Sequence, residues 1–284
     1  MASLRFGGMG WERDIPDFRD YSADSADVKS VLAKSKPLKA AAKAAPAKVD
    51  LREWCPPIED QGNIGSCTAN AGVGMLEYFE RRAFGKHLDG SRLFLYKATR
   101  NLLGWEGDQG AYLRDTMKAM CLFGVPPESY WPYRTQRFDD EPTPFCYAFA
   151  QSYKAMQYYR LDPAGSPAAQ VLADVKTYLA AKLPAMFGFT VYSSMPGIGA
   201  GTGDIPFPSS GDRREGGHAV LAVGYDDNRR IASEKGALLI RNSWGEEWGD
   251  KGYGWIPYTY VQRGLAVDFW SLVRAEFVDT DLFK

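Results

Sequence analysis

Histidine is nearly absent: the 284 residues contain two, His87 and His218. Any mechanism that needs an imidazole must therefore choose between these two. Cysteine is also scarce, with only Cys55, Cys67, Cys121 and Cys146. None stands in a Cys-x-x-Cys pair, which argues against zinc-ribbon and thioredoxin-type chemistry, and four are too few for a disulfide scaffold. The expected state is free thiols in a reducing compartment, with one or two disulfides as the alternative. Charge of one sign is lacking: 34 basic residues face 35 acidic ones, a net charge of −1. No global field therefore recruits nucleic acid or an anionic membrane. No run approaches the roughly 18 apolar residues of a membrane span. Residues Met1–Gly10 have no apolar core of the kind a secretory signal needs. The expected location is cytoplasmic, or outside by a route that uses no classical signal.

What is present is the material of a large core. Hydrophobic residues make up 45% of the chain and aromatics 14%, with eight Trp and sixteen Tyr. A chain of this length buries about three quarters of its unfolded surface and folds without disulfides. Gly10 to Asp24 alternates charges with Trp11, Ile15, Phe18 and Tyr21, and Pro16 interrupts it. It reads as an extended peptide that needs a surface. Lys29 to Lys48 carries six lysines and no acid. It reads as a solvated tail, a linker or a partly helical spacer. At about 60 Å when extended, it could tether the first segment across a cleft.

The body begins near Val49. Apolar spacing predicts helices over Cys67–Phe84, stopped by Gly85, over Arg92–Leu103 and over Leu113–Phe123, stopped by Gly124 and Pro126. After about Ala150, short Val/Ile/aromatic runs predict strands at Tyr153–Leu161, Ala185–Tyr192, Ala219–Tyr225, Ala237–Arg241 and Phe269–Phe277. A helix at Ala168–Lys182 interrupts them, and Ser193–Gly217 reads as a long functional or mobile loop. The expected class is α+β, in two lobes with a cleft between. The expected domains are an extension and linker over 1–48, a helical lobe over 49–150 and a β lobe over 151–284.

Three segments carry chemistry. In Gln61-Gly62-Asn63-Ile64-Gly65-Ser66-Cys67, glycines precede a helix that begins at the cysteine. A thiol there meets the positive end of the helix dipole, which lowers its pKa, and its own backbone N–H is free to bind an oxyanion. A lone cysteine is also an ordinary small core residue. In Gly216-Gly217-His218, a histidine opens an apolar strand behind two glycines that permit close backbone approach. In Asn242-Ser243-Trp244-Gly245, the amide oxygen of Asn242 can hold one ring N–H of a histidine and Trp244 can shield that bond. His87, in a turn after Gly85-Lys86, reads as surface structure.

Together these segments resemble the papain-like cysteine peptidases, over about Val49 to Phe277. The resemblance implies a two-lobed fold with a helical left lobe, an antiparallel β-barrel-like right lobe and the active site between them. It implies Cys67 as nucleophile, His218 as base, Asn242 as orienting residue and Gln61 as oxyanion donor. Gly110, Gly216, Gly217 and Trp244 would bind substrate, with Tyr112 near the side-chain pocket. Ile64 stands where many relatives have a disulfide cysteine, with no partner cysteine in Gly104–Gly110. Thr68 replaces the usual tryptophan after the nucleophile. The long pro-region of secreted relatives is missing, which fits a bacterial-type branch.

The implied function is peptide-bond hydrolysis, most simply by an endopeptidase, through a thiolate–imidazolium pair and a thioester, with no cofactor or metal. The expected partners are a protein or peptide substrate and the chain's own N-terminal segment, a candidate cleft-covering inhibitor and thus a zymogen device. No nucleic-acid or membrane partner is implied. The rivals are a related acyl transferase or amidase and an inactive homologue serving as a binding module. Retention of Gln61, Cys67, His218 and Asn242 together argues against the second.

Overall fold

The protein is described by a computed structural model covering residues 6–85, 88–153 and 157–273. The surface reading of His87 and the outer ends of two expected strands fall outside the described residues.

The chain opens with a short strand, β1 (Trp11–Glu12), then two helices, α1 (Ala26–Leu32) and α2 (Lys36–Lys43), and strand β2 (Lys48–Asp50). The helical lobe follows: α3 (Cys67–Phe84), α4 (Arg92–Leu103), strand β3 (Ala111–Tyr112), α5 (Leu113–Leu122) and α6 (Pro144–Ala150). Its helices end where the sequence places left-handed residues: Gly85 and Gly104 close α3 and α4 with φ of 63° and 67°. α4 begins at Ser91, whose side chain accepts the Phe94 N–H. α3 is buried on nearly every side from Cys67 to Phe79, so it forms the central rod of this lobe.

The β lobe contains β4 (Gln157–Arg160), α7 (Ala168–Ala180), β5 (Ala185–Tyr192), β6 (Arg214–Ile231), β7 (Glu234–Arg241), β8 (Tyr253–Pro257), α8 (Thr259–Gln262) and β9 (Ala266–Val273). The strands pair in the order β4-β9-β5-β6-β7-β8, and β2 joins β6. β4 and β8 do not pair with each other among the described residues, so the barrel-like sheet stays open. The class is α+β, with the two lobes expected. The 18-residue β6 is longer than its apolar core because its ends pair while exposed. The loop from Ser193 to Arg213 is packed rather than free: Met195 and Ile205 are buried, and Trp248 Nε1–H donates to the Pro196 carbonyl at 2.9 Å.

The lysine-rich stretch differs from a plain linker. α1 and α2 bury Val28, Leu32 and Ala41 in the common core. Ser35 caps α2 by accepting the Leu38 N–H, and Pro37 sits in its first turn. Val28 and Leu32, one turn apart, dock α1, Ala41 docks α2, and the lysines face outward. β2 then enters the main sheet through Val49 opposite Tyr225. The extension is thus folded onto the body that follows it.

Candidate active site

Cys67 is the first residue of α3, and Gln61 stands six residues earlier in a loop with Gly62 at φ 64°. That loop is tied to the β lobe by a short ladder. The Gln61 N–H donates to the Ser243 carbonyl at 2.8 Å, and the Gly245 N–H to the Glu59 carbonyl at 3.1 Å. The Ser243 hydroxyl donates to Gln61 Oε1 at 2.6 Å, and Gln61 Nε2 donates to the Ile64 carbonyl at 2.9 Å. Ser243 therefore links the proposed oxyanion residue to the histidine block. Sequence reasoning passed over it, although it lies in the Asn-Ser-Trp-Gly block already singled out.

His218 lies inside β6, opposite Phe189 of β5. β6 and β7 are antiparallel with Leu221 opposite Arg241, so Asn242, just past β7, falls beside the face that carries His218. His218 Nε2 meets Asn242 Oδ1 at 2.7 Å. The Ser243 N–H donates to the same oxygen at 2.8 Å, which fixes the orientation of the amide. An oxygen can only accept, so Nε2 carries the hydrogen and Nδ1 of the neutral ring keeps its lone pair. Nδ1 has no hydrogen-bond partner. Trp244 lies over the imidazole with ring centroids 4.7 Å apart, and Phe189 meets its edge at 5.9 Å. Thr68, in the position of a common tryptophan, is buried with its hydroxyl unpartnered.

No cysteine of the described residues is in a disulfide. Where a disulfide was lacking, a carboxylate clips the two loops: Asp108 Oδ1 accepts from the Gly65 N–H at 2.8 Å and from the Tyr96 hydroxyl at 2.6 Å. No group of metal-binding side chains occurs among the described residues.

The cleft is occupied by the chain's own residues 6–12. The Gly8 N–H donates to the Gly62 carbonyl at 2.8 Å, and Trp244 Nε1–H to the Gly8 carbonyl at 3.0 Å. The Gly10 N–H donates to the Gly217 carbonyl at 3.2 Å, and the Gly10 carbonyl accepts the Ala111 N–H at 2.8 Å. β1 thus runs parallel to β3, with Trp11 opposite Ala111. The fit leaves no room for side chains at its centre. A Cβ on Gly10 would lie 2.0 Å from the Gly65 carbonyl oxygen, and one on Gly110 would lie 2.0 Å from that of Gly10. Gly216 faces the Met9 sulfur and Gly217 the Trp11 carbonyl. All four residues singled out for substrate contact, Gly110, Gly216, Gly217 and Trp244, therefore touch this segment. The segment in the cleft is 6–12, whereas the sequence reading placed Gly10–Asp24 there. Beyond Glu12 the chain leaves the groove, held by Arg114 to Asp14 at 2.5 Å and to Asp20 at 2.6 Å.

The covering controls the electrostatics. Cys67 and His218 are fully buried beneath it. Burial pushes the Cys67 thiol up to about 12, although the amides of Ala219, Gly10, Thr68 and Cys67 itself pull the other way. Burial likewise lowers His218 to about 4, outweighing the bond to Asn242. Under the cover, loss of solvation opposes the helix-dipole field that favours the thiolate, so burial disfavours the ionised pair.

Residues 45–267 match the family described as papain family cysteine protease. An uncharacterised peptidase C1-like protein of Acanthamoeba polyphaga mimivirus is 35% identical over 218 residues, which is 75% of this chain and 68% of its own. Cathepsin K of Gallus gallus is 33% identical over 219 residues, and the chain spans 58% of its length. Among solved structures, Xylellain, a cysteine protease from Xylella fastidiosa, is similar with a TM-score of 0.76 and 38% identity. The match covers 96% of this chain and 99% of that one. A digestive procathepsin L 3 of Tenebrio molitor larval midgut shares the fold at a TM-score of 0.63 and 19% identity, over 94% of this chain and 84% of its own.

Proposed function

Because the chain belongs to the papain family of cysteine proteases, and is a peptidase by family and fold, we propose a latent endopeptidase with Cys67 as nucleophile and residues 6–12 as its removable cover. The observation that carries the catalytic assignment is the lock on His218. Asn242 Oδ1, itself fixed by the Ser243 N–H, holds Nε2 as the donor and leaves Nδ1 as the base. α3, which begins at Cys67, packs against β6, which carries His218.

The chemistry follows in order. Once the cover leaves, water reaches the pair and the neutral thiol passes its proton to His218 Nδ1. The thiolate adds to a peptide carbonyl, and the oxyanion lies toward Gln61 Nε2 and the Cys67 N–H. His218 returns the proton to the departing amine, leaving a thioester on Cys67. Water, deprotonated by His218, adds to the thioester, and the acid and the free thiol leave.

Two features support latency and endopeptidase action. Gly10 gives its N–H to the Gly217 carbonyl and commits its carbonyl to Ala111, so the cover is not presented for attack. The segment also passes through the cleft with chain on both sides of Cys67, so the groove accommodates the interior of a polypeptide. The test is cleavage of an unstructured protein by full-length enzyme and by a chain lacking residues 1–12. Faster internal cleavage by the shortened chain is expected, and equal rates would refute latency.

A further inference from the structure

The two oxyanion donors assigned above, Gln61 Nε2 and the Cys67 N–H, belong to residues six positions apart. The loop between them carries Gly62 at φ 64° and Gly65, so its own backbone does little to fix one donor against the other. A third element reaches in and holds both ends of that loop. Tyr133 lies in the stretch between α5 and α6. Its hydroxyl meets the Gln61 carbonyl at 3.0 Å and the Ser66 hydroxyl at 2.5 Å. Asn70 Nδ2, in the first turn of α3, donates to that Ser66 hydroxyl at 3.1 Å and to the Ser66 carbonyl at 3.0 Å.

One atom sets the direction of every bond in this chain. A carbonyl oxygen only accepts, so the Tyr133 O–H donates to Gln61. The phenol has a single hydrogen, so it accepts from Ser66. The order is therefore Asn70 amide, Ser66 hydroxyl, Tyr133 hydroxyl, Gln61 carbonyl. Burial pushes the Tyr133 hydroxyl up to about 12, with the Ser66 bond pulling the other way, so its hydrogen is kept through the neutral range. The far side of the same peptide is held as well: the Gly62 N–H donates to Asp60 Oδ1 at 2.8 Å.

Tyr133 is itself anchored on the start of α4. The Arg92 guanidinium lies 4.3 Å from its ring centroid. The Tyr133 N–H donates to Glu128, whose carboxylate also pairs with Arg92 at 3.6 Å. Ser91, which caps α4, donates its hydroxyl to the Trp131 carbonyl at 2.6 Å. The phenol is thus a stiff arm from α4 to the loop.

We propose that Tyr133 is a positioning residue of the oxyanion hole: its hydroxyl pins the Gln61 peptide to the first turn of α3, so that Gln61 Nε2 and the Cys67 N–H converge on one oxygen. The proposal rests on the peptidase reading of Cys67 and Gln61. Tyr133 acts through Gln61 and not on the thiol. Donors of this kind stabilise the charge that develops on the carbonyl oxygen only when they already point at its final position. Without the hydroxyl both donors survive, but the loop drifts, and the transition state loses more than the bound substrate does.

The test uses the full chain carrying Gly10→Ala, with and without Tyr133→Phe, which keeps the ring beneath Arg92. Peptide cleavage and capture of a peptide aldehyde both set a former carbonyl oxygen in the hole, whereas alkylation of Cys67 by iodoacetamide does not. Tyr133→Phe should lower kcat and weaken aldehyde binding about tenfold or more, with KM and the alkylation rate at Cys67 changed less than about twofold. Added to Gln61→Ala, the same substitution should cost less than about twofold, because the residue it positions is gone. Unchanged kcat and aldehyde binding, an alkylation rate that falls as far as kcat, or an equal loss with and without Gln61 would overturn the positioning proposal alone. A parent that binds the aldehyde but cuts no peptide would end the peptidase reading, and its aldehyde and alkylation responses to Tyr133→Phe would still decide the role of Tyr133. A parent alkylated at Cys67 that neither cuts peptide nor binds the aldehyde would overturn both.

Discussion

Asn242 shows how much one side chain can decide. Its oxygen takes two hydrogens, one from His218 Nε2 and one from the Ser243 N–H. That arrangement sets the tautomer of the base. Asn242→Ala should keep the thiol and the ring but let the ring turn, lowering kcat/KM roughly 100-fold, the cost of a group misplaced by about 1 Å. Loss as complete as that of Cys67→Ala would assign Asn242 more than an orienting role. Cys67→Ala should abolish turnover with an unchanged melting curve, since a buried methyl replaces a buried thiol. Gly10 is the counterpart in the cover. Its Cβ would strike the Gly65 carbonyl oxygen, part of a backbone that the Gly65–Asp108 bond holds. Gly10→Ala should therefore expel the segment and raise the activity of the full-length enzyme at least tenfold, read with a peptide substrate. Cys67 and Asn242 were legible in the sequence because each stands at an element end with glycine close by, whereas the role of Gly10 was not. Ser243 was visible but not read. Asp268 was not legible at all, because nothing local marks a strand aspartate as the acceptor of the Trp11 indole N–H.

At the scale of elements, the N-terminal segment is held by a charged cluster as well as by its backbone. Asp14 faces Arg114 on α5, with Asp20 of its own segment, Arg160 at the end of β4 and Asp268 of β9 close by. Burial, and then the Asp268 charge, push Asp14 up to about 6 from 3.8, with Arg114 pulling the other way. In the released segment Asp14 is solvated and returns to its ordinary value. The closed form therefore binds the extra proton. Its stabilisation is full below about pH 4 and is lost as pH rises through about 6. The Asp14 share of closure should therefore tighten in acid and loosen toward neutrality, while His218, lowered to about 4 under the cover, contributes with the opposite sign. The measurement that isolates Asp14 is the rate of Cys67 alkylation in the full-length wild type divided by that in full-length Asp14→Asn, which cancels His218 and the thiol. The ratio should rise between pH 4.5 and 7. A ratio that falls over that range would contradict the sign. The α3, α4 and α5 helices were readable from apolar spacing and their glycine stops. The register of residues 6–12 was not, because contacts such as Gly10 on Gly65 and Trp11 on Gly188 fix it across the fold. β8 was missed because glycine and aromatics, not an alternating pattern, fill it.

The whole molecule binds its extension in two different ways. Residues 6–12 sit in the cleft, while α1, α2 and β2 belong to the body. Val28 and Leu32 are buried there, each worth roughly 1.5–3 kcal/mol. A chain starting at Val49 should thus melt roughly 10 °C below one lacking only residues 1–12. Equal melting temperatures would mean that the two helices are only a tether. The lysine-rich composition concealed this, since six lysines and a run of alanines mask the few large apolar residues that dock. The two-lobed α+β body was legible because helices and strands segregate along the chain. The burial of Cys67 and His218 was not, because it depends on a cover laid down from more than 50 residues away.

The central claim is that Cys67 is an activated nucleophile once residues 6–12 leave the cleft. The most direct measurement is intact mass after treatment with a peptidyl epoxide that alkylates activated thiols. It would be run on the wild type, on Gly10→Ala and on Gly10→Ala with Cys67→Ala. The expected result is slow labelling of the wild type, rapid addition of one adduct to Gly10→Ala, and none on the double variant. Labelling of the double variant, or equal rates for the first two, would contradict the account.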